Sequence, residues 1–156
     1  MAAIEHDDSR PVDGRTARAL RTRRVIVDAC VTLIDEGDLS PTAPRVAERA
    51  GVSVRSVFQH FDDLDGLYAA VADRVLERLV GLVLRVDPAM AIERRLPMVV
   101  RQRAVLLDAL TPIRRSAFIH AWNSEAVTHR LRAGQSFLRA EVAAAVAGEI
   151  AAAGEG

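Results

Sequence analysis

Residues 46–61, VAERAGVSVRSVFQHF, set a hydroxyl, a valine, an arginine and a second hydroxyl in succession as Ser53, Val54, Arg55 and Ser56. Side chains of these types at the front of a helix suit the reading of base edges in a DNA major groove. A guanidinium pairs bidentately with guanine O6 and N7, so Arg55 leads the candidates for a specific contact, and Val54 fits a thymine methyl. The competing reading of Arg55 is a solvated surface charge. Phe58 divides evenly between a surface contact and the core, whereas Phe61 is expected in the core.

To offer such a face, two short helices must meet at a steep angle, which needs a small residue at the crossing, a glycine in the turn and apolar anchors inside. Ala47, Gly51 and Val57 occupy these roles, with Val46, Ala50 and Val52 as further anchors. Gly51 supplies the positive φ of a sharp exit, and Ser53 can cap the second helix, which runs to about His60. Ser40-Pro41-Thr42-Ala43-Pro44 reads as a turn and a helix start, with Thr42 as cap and Pro44 in the first turn, where a missing N–H costs nothing. Upstream, Val25, Ile26, Ala29, Cys30, Leu33 and Ile34 recur on one face and predict a helix from about Arg18 to Gly37. Cys30 lies on that stripe and reads as a core residue rather than a reactive thiol.

Downstream, Asp62 or Asp63 caps a long connector helix from about 63 to 86, apolar on two flanks and ended by Asp87-Pro88. Helical segments are expected at about 89–110, 112–122 and 124–150, separated by Thr111-Pro112 and Asn123-Ser124, with a kink at Pro97. Residues 1–14 are polar and aperiodic and read as a disordered arm.

Composition supports an all-α fold: 50% of the residues are hydrophobic and only 4% aromatic, and Ala, Leu, Arg and Val dominate. A single cysteine excludes a disulfide framework and a cysteine zinc site. The acidic start lacks the pattern of a secretory signal and no apolar run is long enough to span a membrane, so a cytoplasmic protein is expected. All 21 basic residues are arginine, the net charge is zero, and Arg15, Arg18, Arg21, Arg23 and Arg24 fall in one window without an acid. That cluster is equally a solvated helix start or a set of phosphate contacts. There is no glycine-rich phosphate loop or nucleophile motif, and His6, His60, His120 and His129 are scattered, so no enzyme and no cofactor is expected. Glu125 and His129, one helical turn apart, read as a surface pair, and no metal is expected.

Residues from about Thr22 to Tyr68 resemble the DNA-binding domain of the TetR family of transcriptional regulators. The family pattern is a first amphipathic helix ending at Gly, then T-x-x-x-I/V-A-x-x-A-G-V-S, then a recognition helix ending aromatic-x-H/Y-F. Thr42, Val46, Ala47, Ala50, Gly51, Val52, Ser53, His60 and Phe61 match it, and Phe58 stands where Tyr is common. The resemblance implies a three-helix domain over 15–62 with a helix-turn-helix, joined by the connector helix to a small, shortened regulatory and dimerisation bundle over 63–156. It implies a repressor released by a small-molecule effector and a homodimer on a palindromic double-stranded DNA operator. Thr42, Arg45 and His60 would then touch phosphates, and Arg18 and Arg21 would lie near the backbone.

Two departures stand out. Asp62-Asp63-Leu64-Asp65 replaces a tract where the family commonly has a phosphate-binding Lys, and Phe58 lacks a tyrosine hydroxyl. In the second half Tyr68, Arg101, His120, Trp122 and Asn123 are the candidates for a ligand site, against ordinary packing for each. The two final helices that commonly make the dimer are not found, so an alternative is an interaction protein that no longer binds DNA and pairs with a longer relative.

Overall fold

The computed structural model describes residues 14–83 and 86–154. The arm expected over residues 1–14 lies outside them except for Gly14, which opens the first helix. Seven helices and no strands occur among the described residues: α1 Gly14–Asp35, α2 Ala43–Ala50, α3 Val54–His60, α4 Leu64–Leu82, α5 Ile92–Ala121, α6 Glu125–Ala145 and α7 Ala147–Gly154. Helices α1, α2 and α3 pack on one another, α4 touches α1, α5 and α6, and α5 reaches back to α1.

The core follows the apolar stripe of α1. Ile26, Cys30 and Ile34 are fully enclosed together with Val46 of α2, Val57 of α3 and Leu67 of α4. Val25, at the edge of the stripe, faces out instead. Burial, with the Asp38 carboxylate nearby as a smaller cause, pushes the Cys30 thiol up to about 12, which makes it the inert core residue its position suggested. Phe61 is buried, and the Arg23 guanidinium sits 4.7 Å from its ring centroid.

Four boundaries differ from those read in the sequence. Helix α1 starts at Gly14, because nothing between Gly14 and Arg18 opposes helix. Helix α4 stops at Leu82, short of Asp87-Pro88, where Gly81 and the β-branched Val80 and Val83 weaken its last turn. Thr111-Pro112 does not divide a helix: α5 runs 30 residues through both Pro97 and Pro112. Beside the hydrogen bond that Pro112 cannot make, Thr111 Oγ1 donates to the Leu107 carbonyl at 2.8 Å. The segment 124–150 is two helices, divided at Val146, whose φ of −127° and ψ of 19° leave the helical region.

Candidate nucleic-acid interface

Helices α2 and α3 meet through a tight turn with specific hydrogen bonds. Gly51 has φ 66° and ψ 32°, Val52 N–H donates to the Ala47 carbonyl at 3.0 Å, and Gly51 N–H donates to Glu48 O at 3.2 Å. This pair of bonds closes the end of α2 with a residue in the left-handed region, where a side chain would be strained. Ser53 then opens α3, its Oγ accepting from Ser56 N–H at 3.1 Å. Thr42 holds the N-cap position of α2, but its side chain makes no capping hydrogen bond, and Pro44 sits in the first turn.

With Val57 and Phe61 turned inward, the outward face of α3 is Val54, Arg55, Phe58 and Gln59, all exposed. Phe58, open between two readings in the sequence, is 47% exposed and stays out of the core. Arg55 has no carboxylate within ion-pair distance among the described residues, whereas Arg45 meets Asp38 at 3.2 Å while keeping most of its side chain in solvent. Ser56 and His60 are half-buried, and Thr42, Ser53, Arg18 and Arg21 are exposed. Gln59 was not a candidate in the sequence. Its signal was there, four residues after Arg55 on a helix whose Val57 and Phe61 turn inward, and a glutamine amide matches adenine N6 and N7.

The acids that depart from the family pattern have a structural occupation. Asp63 is the N-cap of α4, its carboxylate accepting from Gly66 N–H at 2.7 Å, so it is turned to its own helix end. Asp62 remains exposed.

Arginine-carboxylate bonds fix this unit from behind. Arg49 makes a fork with Glu36 at 2.7 and 2.6 Å, which draws that carboxylate's pKa down. Arg74 and Arg78 of α4 both reach Asp28 of α1, at 3.0 and 3.2 Å. Arg130 of α6 forks onto Asp73 of α4 at 2.6 and 2.9 Å. None of these pairs was visible in the sequence, because each joins helices that only the fold brings together.

Residues 26–71 match the family model of the bacterial regulatory proteins of the tetR family. They form a TetR-family helix-turn-helix domain. No match was found among curated proteins or among solved structures. The TetR-family domain is that of a DNA-binding transcriptional regulator, and its matched span runs from the core of α1 through the first two turns of α4. Among the described residues no helix is long and apolar enough to cross a membrane.

The five ligand candidates of the second half do not come together. Tyr68 and His120 do, stacked with ring centroids 3.5 Å apart, and the Tyr68 hydroxyl donates to the Pro41 carbonyl at 2.9 Å. Two rings, from α4 and from the end of α5, thus seat the turn that leads into α2. Burial lowers the His120 pKa, against which the Asp65 carboxylate and the Leu39 backbone carbonyl act. Burial pushes the Tyr68 hydroxyl up to about 12. Arg101 and Asn123 are exposed, and Trp122 is 92% exposed. A cavity of about 70 Å³ lies elsewhere, between α4, α5 and α6, lined by Val75, Leu79, Leu110, Ile113 and Leu138, with Arg114 and Gln135 as polar groups at its side.

Proposed function

We propose that the protein is a repressor that binds a palindromic DNA operator as a homodimer and is released by a small-molecule effector. The observation that carries the DNA-reading part is the outward face of α3. Val54, Arg55, Phe58 and Gln59 stand clear of the core on a helix whose angle is set by the Gly51 turn. Arg55 reads a guanine, Val54 and Phe58 meet apolar base edges, and Gln59 faces an adjoining base. Ser53 and Ser56 stand at the front of the helix, and Arg18, Arg21, Thr42, Arg45 and His60 fix the register on phosphates.

The DNA-reading unit is residues 15–62, and residues 63–156 form the regulatory and dimerisation unit. The effector would enter between α4, α5 and α6, where the cavity of about 70 Å³, apolar with Arg114 and Arg130 at its side, has room for a larger molecule only once those helices part. The cavity wall is made by the same α4 that carries Tyr68 against the Pro41 turn, so an occupant that spreads α4 from α6 would displace the turn into α2.

Fluorescence anisotropy on duplexes from the neighbouring promoter, titrated from low to moderate salt, tests this reading. Binding that weakens steeply with salt, and that retains preference for one duplex over mixed sequence, is the expected result. Absence of binding at low salt, where phosphate contacts are strongest, would remove the regulator reading in favour of an interaction protein.

A further inference from the structure

We infer that α5 is the self-association surface, pairing antiparallel with α5 of a second copy about a two-fold axis at Leu107. This rests on the reading of the protein as a dimer and names the surface that makes it.

Eight of the sixteen large apolar side chains exposed among the described residues fall between positions 96 and 122. Leu96, Val100, Leu107, Phe118 and Trp122 recur at helical spacing, with Ala104, Thr111 and Arg114 between them, the Arg114 guanidinium lying over the Phe118 ring, and so form one seam beside the core-facing side of α5. From 96 to 122 the seam spans about 39 Å of helix, a footprint of roughly 400 Å² at helix width. Two such faces bring about 800 Å² together, and the arginine stems beside the seam add toward the roughly 1,000 Å² that a specific interface requires.

The spacing is self-complementary. Leu96 precedes Leu107 by as many residues as Phe118 follows it, so antiparallel pairing sets Leu96 on the partner's Phe118 and Leu107 on its own image. Arg101 then lies about 7.5 Å along the axis from the partner's Asp108, within reach of its stem. The His120 ends, which sit against the DNA-reading units through Tyr68 and Pro41, fall about 39 Å apart along the axis, so the two units are held apart at opposite ends of the pair. Parallel pairing would bring those ends side by side.

Sedimentation equilibrium of the full chain, with Leu107→Glu and, on the other flank of the same helix, Val105→Glu, decides it. The wild type is expected to dimerise. Leu107→Glu should raise the dissociation constant about a hundredfold or more, since each carboxylate meets its own image in an apolar seam, while Val105→Glu should change it about twofold or less. Helicity by circular dichroism checks that both variants fold. Leu107→Cys should form a disulfide-linked dimer under mild oxidation, because Cys30 is enclosed and unreactive. A wild type monomeric at about 100 μM, equal losses in the two glutamate variants, or no crosslink in the Leu107→Cys variant would overturn the proposal. Binding of Leu107→Glu to mixed-sequence duplex at low salt reads the DNA surface separately, so failure of the interface and failure of the DNA reading give different results.

Discussion

The two ends of the molecule spend their apolar residues differently. Around α1 to α3 and the start of α4, large side chains such as Ile26, Ile34, Val46, Val57 and Leu67 are enclosed, a glycine turn ends α2, and Ser53 and Asp63 cap α3 and α4. In α5 to α7 the helices are more open, although α5 is the longest of the described helices. Among the described residues α6 fully buries only Val127, and α5 exposes residues on both flanks of its core stripe. One apolar core runs from the first region into α5 and the start of α6, but the second region leaves one side of its helices open to solvent. A DNA-reading unit must hold its outward side chains at a fixed angle, which rewards closure, whereas a face built to receive another molecule must stay open until it does.

Burial predicts the largest contrast. Leu67→Ala, in the enclosed core, should cost about 3 kcal/mol, while Ile150→Ala in α7 should stay within about 0.5 kcal/mol, both read from urea unfolding. Comparable losses would mean that the second region is as tightly closed as the first. Next comes Arg55→Ala, expected to cost about 1–3 kcal/mol of binding on the best DNA site and to relax the preference there, with the urea midpoint unchanged. Equal losses on every sequence would move Arg55 from base to backbone. Gly51→Ala places a methyl group at φ 66° and should lower stability by about 1–2 kcal/mol, and it should weaken DNA binding further, because the angle of α3 depends on that turn.

The smallest effect concerns the junction between the two regions. His120 has a folded pKa below its ordinary value of 6.5, so in that window the unfolded chain binds more protons. Stability should therefore be full above about pH 6.5 and decline as the pH falls toward the lowered value, and His120→Gln should flatten that slope. An unchanged slope would place the sensitivity in another group.

Legibility follows the same division. The hairpin was readable because local rules wrote it: Gly51 for a left-handed turn, Ser53 for a cap, and inward Ala47 and Val57 at short spacing. The Thr111-Pro112 break was misread because a proline weighs heavily in isolation, while a long helix packed on α4 and α6 tolerates one lost hydrogen bond. Tyr68 and His120 read from the sequence as polar aromatics for a ligand, but what they touch lies on chain segments far away in sequence, and no spacing rule reaches that far. The cap of α4 was legible as Asp62 or Asp63, and Asp63 fills it, its carboxylate accepting from Gly66 N–H.

Arg95 is 3% exposed and is held by the Pro88 carbonyl and the Glu149 carboxylate of α7. Lifting α7 away would take the Glu149 carboxylate from the Arg95 guanidinium and leave it the Pro88 carbonyl, a loss the chain resists. The last helix therefore leaves or stays as a unit, latched by one ion, and its amide exchange should quicken together along its length when salt or a lost Glu149 loosens that latch.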